Sequence, residues 1–123
     1  MSTAEGNKIL LVDDSLIVRK SLSNQLQHFG YEIQTAESGA QALSIIAQET
    51  FDCVILDLHM NDMNGYEVME ALKKAGNKVP VIVLTADMQS ASQQIILALG
   101  ARGYLNKPID PNLLHQAIQN AIS

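Results

Sequence analysis

Lys8-Ile9-Leu10-Leu11-Val12-Asp13-Asp14 is the stretch that decides how this chain folds. Four apolar residues in succession, with no polar residue alternating among them, describe a short strand buried on both faces. The run stops at two carboxylates. Ser15 then stands as a helix N-cap, and Leu16, Val18, Leu22, Leu26 and Phe29 recur at spacings near three and four up to Gly30, which predicts a helix. The alternation then repeats. A weaker strand is expected over 31–36, then a helix from Gly39 with Ala42, Leu43, Ile46 and Ala47 on one face, then a strand over 51–56 that stops at Asp57. A loop with Asn61, Asp62, Asn64 and Gly65 precedes a helix that turns Val68, Met69 and Leu72 inward. Further on come an apolar strand over 80–84, a helix over 89–99 closed by Gly100, and a short strand Gly103–Asn106. Asp110 caps a last helix carrying Leu113, Leu114, Ala117, Ile118 and Ile122.

Strand and helix alternating five times through short connections define an α/β chain. The continuously apolar strands one, three and four require helices on both faces of a parallel sheet. Right-handed crossovers with one reversal after strand two predict the order 2-1-3-4-5, a five-stranded doubly wound parallel sheet of flavodoxin-like type with five helices. Winding in one direction only leaves one face bare. The 123 residues fit a single domain, with 1–7 as a flexible N-terminal segment. Such sheets bind ligands beyond the carboxyl ends of the strands, where the winding reverses. Those ends carry Asp13 and Asp14, Asp57, Thr85, and Asn106-Lys107-Pro108. Each alone reads as a cap or a turn residue. Their convergence reads as a site.

Composition narrows the partners. Eight Lys and Arg against 13 Asp and Glu give a formal net charge of −5, which argues against direct nucleic-acid binding, because neutralising phosphates takes clustered cations. A cation or a basic partner suits the balance better. A single cysteine, Cys53, excludes an internal disulfide and any multi-cysteine metal site, and its apolar neighbours make it a buried small hydrophobe. The first eight residues hold no basic region followed by an apolar one, so no signal peptide is read there. The longest apolar stretch, 79–84, is far shorter than the roughly 18 residues that cross a bilayer, so a cytoplasmic protein without membrane contact is expected. His28 and His115 have no acidic or cysteine partner at ligand spacing and read as solvated helix residues. Met60, Met63, Met69 and Met88 read as loop and core packing, and Ser38 as a cap.

Three carboxylates on one edge need compensation. Two unit charges about 4 Å apart at an effective dielectric near 20 repel by roughly 4 kcal/mol. Lys107 offsets one charge and leaves a surplus suited to a hard divalent ion. Mg²⁺ takes oxygen ligands and is held by one or two carboxylates plus phosphate oxygens, whereas zinc favours His and Cys at ligand spacing.

Leu11-Val12-Asp13-Asp14-Ser15, Val54-Ile55-Leu56-Asp57-Leu58-His59-Met60 with Met63-Asn64-Gly65, Pro80-Val81-Ile82-Val83-Leu84-Thr85-Ala86, and Gly103-Tyr104-Leu105-Asn106-Lys107-Pro108 occur in that order. On these residues the chain resembles the receiver domains of two-component response regulators, of the chemotaxis type, from about Lys8 to its end. The resemblance implies a phosphoacceptor signalling switch rather than a conventional enzyme. Asp57 would take a phosphoryl group from a histidine kinase or a histidine phosphotransfer protein. Mg²⁺ would sit on Asp14, Asp57 and the backbone carbonyl of His59, with Asp13 acting mostly through water. Lys107 would pair with the acceptor, the Lys107–Pro108 peptide would be cis, and Thr85 and Tyr104 would form the switch pair. The face of helix four, strand five and helix five would then address a downstream effector or a linked output domain.

Three positions depart from the family pattern or tune it. Asn61 stands where the family mostly has proline, while His59 and Asp87 occupy places that govern access of water to the phosphoryl group. The last helix, 112–122, carries no Lys or Arg, which disfavours receivers that dimerise through charged pairs on that face. The competing reading is a Mg²⁺-dependent phosphohydrolase with an aspartate nucleophile. It needs a second acid where His59 stands and a cap domain for which 123 residues leave little room. A dinucleotide module lacks its G-x-G-x-x-G after strand one.

Overall fold

The computed structural model describes residues 6–60, 62–86 and 90–123, the side chains of 90–92 excepted. Ten elements alternate: β1 (Lys8–Val12), α1 (Leu16–Gln27), β2 (Glu32–Ala36), α2 (Gly39–Gln48), β3 (Cys53–Asp57), α3 (Gly65–Lys74), β4 (Val81–Thr85), α4 (Ser90–Ala98), β5 (Gly103–Asn106) and α5 (Pro111–Ile122). The strands form one parallel sheet in the order β2-β1-β3-β4-β5, as expected. The register sets Val12 beside both Ala36 and Leu56, Asp57 beside Leu84, and Thr85 beside Asn106, so the carboxyl ends of the strands finish along one edge.

Period-two alternation divides the strand residues between two cores. Leu10, Val12, Val54, Leu56 and Val83 face α2, α3 and α4, against Ala42, Ile46, Val68, Leu72 and Ile96. Ile9, Leu11, Cys53, Ile55, Ile82 and Leu84 face α1 and α5, against Leu22, Leu26, Leu114 and Ile118. Both faces are covered, which is why β1, β3 and β4 carry no polar stripe. The caps are those the sequence announces. Ser15 Oγ accepts from Val18 N at 3.3 Å, Ser38 Oγ from Gln41 N at 3.1 Å, and Asp110 Oδ1 from Asn112 N at 2.9 Å. Gly30 and Gly100, with φ of +97° and +102°, follow α1 and α4 in the left-handed region that closes helices.

Some expectations need correcting. Strand β2 starts at Glu32 and β3 extends to Asp57, so the acid is itself a ladder residue. Strand β4 runs to Thr85, and α4 ends at Ala98. Leu16 and Leu113 are about half exposed, and Ala47 is exposed as well. Each residue turns a helix by about 100°, so Leu16 lies nearly opposite Val18, and Leu113 sits beside the inward stripe of Leu114, Ile118 and Ala121. His115 is not a merely solvated side chain. Its ring stacks on Phe29 at 4.2 Å and 9°, and its Nδ1 shares a 2.8 Å hydrogen bond with the buried Tyr31 hydroxyl. Gln119 Nε2 donates to the same hydroxyl at 2.8 Å, so α5 is tied to the turn between α1 and β2. Among the described residues no helix is long and apolar enough to cross a membrane.

Candidate functional site

Asp13 leaves β1 under close control. Its N–H donates to Ala36 O at 3.2 Å, its Oδ1 accepts from Ser15 N at 2.9 Å, and its carbonyl receives Arg19 Nη1 at 2.7 Å. The side chain is buried, whereas that of Asp14 faces solvent. Asp57, the last residue of β3, points to the same place: one carboxylate oxygen from each of Asp13, Asp14 and Asp57 lies within 4.8 Å of the others. Separate segments therefore bring the three acids together, because β1 and β3 are neighbours and end level.

Lys107 reaches in from the loop after β5. Its Nζ stands 3.2 Å from Asp57 Oδ1 and 3.4 Å from Asp13 Oδ2. The loop is anchored by Lys107 N donating to Thr85 O at 2.9 Å, and the Lys107–Pro108 peptide is cis. One ammonium thus serves two buried carboxylates. Burial raises the Asp57 carboxyl above its ordinary range and the Asp13 charge adds to this, together outweighing Lys107 and the His59 N–H that donates at 3.4 Å. Burial works against the Lys107 charge, yet Asp57 and Asp13 hold its ammonium above its usual range. Within 4.8 Å and at an effective dielectric near 20, the Asp13–Asp57 repulsion is at least about 3.5 kcal/mol. Such a pocket is short of positive charge. Its donors are carboxylate oxygens, with no sulfur and no imidazole in the cluster, a set that fits Mg²⁺.

Thr85 is buried at the end of β4, and Tyr104 is half-buried on β5 opposite Val83. The Tyr104 hydroxyl donates to Gln93 Oε1 on α4 at 3.0 Å. His59 is exposed beside the acceptor. Asn61, Asp87 and Met88, to which the sequence reading gave loop, tuning and packing roles, lie outside the described residues. Arg19, Gln93 and Asp62 were not singled out as site residues. Each acts on a partner in another segment, for which a linear pattern carries no signal.

A five-stranded sheet of this order, with acids from two strand ends and a lysine from a third, defines a class. The family model for the response regulator receiver domain matches residues 9–119, and the chain belongs to that family. Its members are phosphoacceptor switches of two-component signalling, and they bind Mg²⁺ through acidic residues. The chain is 40% identical over 119 residues to the transcriptional regulatory protein GlrR of Escherichia coli, a match covering 93% of this chain and 26% of that protein. It is 37% identical over 118 residues to the probable transcriptional regulator ycf29 of Pyropia yezoensis, covering 94% of this chain and 53% of that one. The chain therefore spans between a quarter and about half the length of these relatives. Among solved structures, chemotaxis protein CheY4 of Vibrio cholerae superposes with a TM-score of 0.87 at 36% identity, covering 94% of this chain and 98% of that one.

Proposed function

We propose that Asp57 accepts a phosphoryl group from a phosphohistidine on a sensor kinase or phosphotransfer protein, and that the resulting aspartyl phosphate switches the surface formed by α4, β5 and α5. The observation that carries this reading is the meeting of Asp13, Asp14 and Asp57 within 4.8 Å, with Lys107 Nζ 3.2 Å from the acceptor. A carboxylate oxygen of Asp57 forms a bond to phosphorus as the phosphorus–nitrogen bond of the donor breaks, and the imidazole leaves with that electron pair. The Asp57 side chain is only 4% exposed, so the donor reaches it past the exposed Asp14 and His59. Asp14, Asp57 and the His59 carbonyl would hold Mg²⁺, with Asp13 beside it; bound there, the ion would neutralise charge on the phosphoryl oxygens and align the groups in transfer. Lys107 moves its ammonium from the carboxylate to a phosphoryl oxygen. The Thr85 hydroxyl turns toward the phosphoryl group, and Tyr104 gives up Gln93 and rotates into the space released. This is a population shift between two arrangements, read by an effector or a linked output domain.

Slow hydrolysis returns the switch: water attacks phosphorus and the Asp57 carboxylate leaves. The net charge of −5 supports a protein rather than a nucleic acid as the direct partner, and in this reading residues 1–123 are one receiver domain that works in the cytoplasm. A phosphohydrolase needs an acid where His59 stands. Incubation with Mg²⁺ and acetyl phosphate, followed by intact mass analysis, tests the reading. One base-labile phosphoryl adduct is expected, lost in Asp57→Asn and suppressed by chelation. An undiminished adduct in Asp57→Asn rejects the assignment.

A further inference from the structure

We infer that Asp62 is a positioning residue for the phosphoacceptor site: its carboxylate fastens the loop after Asp57 to the first turn of α2 and so holds that loop in place relative to the acid pair of β1. Asp62 Oδ1 accepts from Gly39 N and Asp62 Oδ2 from Ala40 N, each at 3.3 Å. These are two of the four amides that an α-helix leaves without an internal acceptor, and the helix dipole favours a negative group there. Ser38 takes a third, from Gln41, so α2 is capped partly by its own residue and partly by one 22 positions further on. Although desolvation works the other way, the amides of Ala40, Gly39, Met63 and Asp62 itself hold the Asp62 carboxyl below its ordinary range.

The contact is also close-packed. A Cβ on Gly39 would come within 2.9 Å of both Met63 Cβ and Val68 Cγ2, so the loop can lie flush on α2 only because residue 39 has no side chain. The other side of the β2–α2 junction is gripped by the β1–α1 loop. Ala36 O accepts from Asp13 N at 3.2 Å, and Arg19, whose Nη1 donates to Asp13 O, lies 3.8 Å from Glu37. Residues 36–40 therefore form a brace held at one end by the loop of Asp13 and Asp14, and at the other by the loop that follows Asp57. The ends of the latter loop are pinned by Leu58 N to Leu84 O at 2.9 Å and by Gly65 N to Leu58 O at 2.8 Å. Asp62 supplies the tie between them. A divalent ion shared by both loops is sensitive to their separation, since outer contacts that orient ligands commonly set metal affinity by roughly 10–100-fold.

This inference rests on the Mg²⁺ reading above, and the experiment separates the two. Amide exchange and calorimetric titration with Mg²⁺ alone would be run on the full chain as wild type, Asp62→Ala, Asp62→Asn and Gly39→Ala. The Gly39 and Ala40 amides are expected to be protected in wild type and to exchange faster in Asp62→Ala. Mg²⁺ binding should weaken about tenfold in Asp62→Ala, recover in part in Asp62→Asn, and weaken again in Gly39→Ala, where the new Cβ meets Met63 and Val68. Equal exchange of those amides in wild type and Asp62→Ala overturns the clasp whether or not Mg²⁺ binds. Unchanged Mg²⁺ affinity in Asp62→Ala, with only a lower melting temperature, reduces Asp62 to a helix cap and overturns the positioning role. A wild type that binds no Mg²⁺ while its Gly39 and Ala40 amides are protected overturns both the site reading and the role built on it.

Discussion

Asp57→Asn should make the Mg²⁺-free protein more stable at neutral pH. The substitution keeps the shape of the side chain and removes its charge. In the folded protein that charge gains about 5 kcal/mol from Lys107 Nζ at 3.2 Å and loses at least about 3.5 kcal/mol to Asp13, which lies within 4.8 Å, at an effective dielectric near 20. The exposed Asp14 adds a screened repulsion, and burial adds a penalty that for a nearly buried carboxylate is several kcal/mol. The balance is unfavourable to the ion, which is why burial and the Asp13 charge hold its carboxyl above the ordinary range in the fold. A raised carboxyl contributes stability that is full below the unfolded value and is lost as pH rises through the folded one. Once the pH is above the folded value that contribution is gone from wild type and the charge is a liability. A gain of roughly 1–2 kcal/mol follows for Asp57→Asn, or about 4–8 °C in melting temperature for a chain of this size. Thermal unfolding in chelator at pH 7, repeated at progressively lower pH, measures it. The difference should narrow as wild-type Asp57 takes up its proton, and saturating Mg²⁺ should raise wild type more than the variant. A variant that melts at or below wild type in chelator at pH 7 refutes the charge balance drawn here.

Three further outcomes follow from other contacts. Lys107→Ala leaves Asp13 and Asp57 without their shared ammonium, so denaturant unfolding without Mg²⁺ should show a loss of about 1–3 kcal/mol, discounted for the partial exposure of the lysine, with Mg²⁺ restoring part of it. Burial pushes the Cys53 thiol up to about 12, so at pH 8 a disulfide reagent should modify it only as fast as the protein unfolds, and rapid native labelling would contradict the packing. His115→Ala removes the stack on Phe29 and one of the two partners of the Tyr31 hydroxyl, Gln119 remaining, and should cost about 1–2 kcal/mol in the same unfolding assay; a neutral result would mean the ring cluster adds nothing to docking α5.

The sequence by itself determined the alternation of elements, the sheet order and the acids at the strand ends. Those features are written in neighbouring residues: an apolar run that halts at Asp13 or Asp57, a Ser or Asp where a helix begins, a glycine where one ends. Right-handed crossovers then leave few ways to assemble five such strands. Only the tertiary structure decided which contacts join distant segments. His115 meets Tyr31 across 84 positions, and Lys107 meets Asp13 across 94. Leu16 and Leu113 keep apolar spacing yet face out, because the azimuth of each helix is set by the sheet it lies on. Asp62 looked like an ordinary loop acid until α2 arrived beside it, its first amides turned outward and Gly39 making room. Local propensity operates over a few bonds, whereas the separation of charges that meet at a site is a property of packing, and no run of letters contains it.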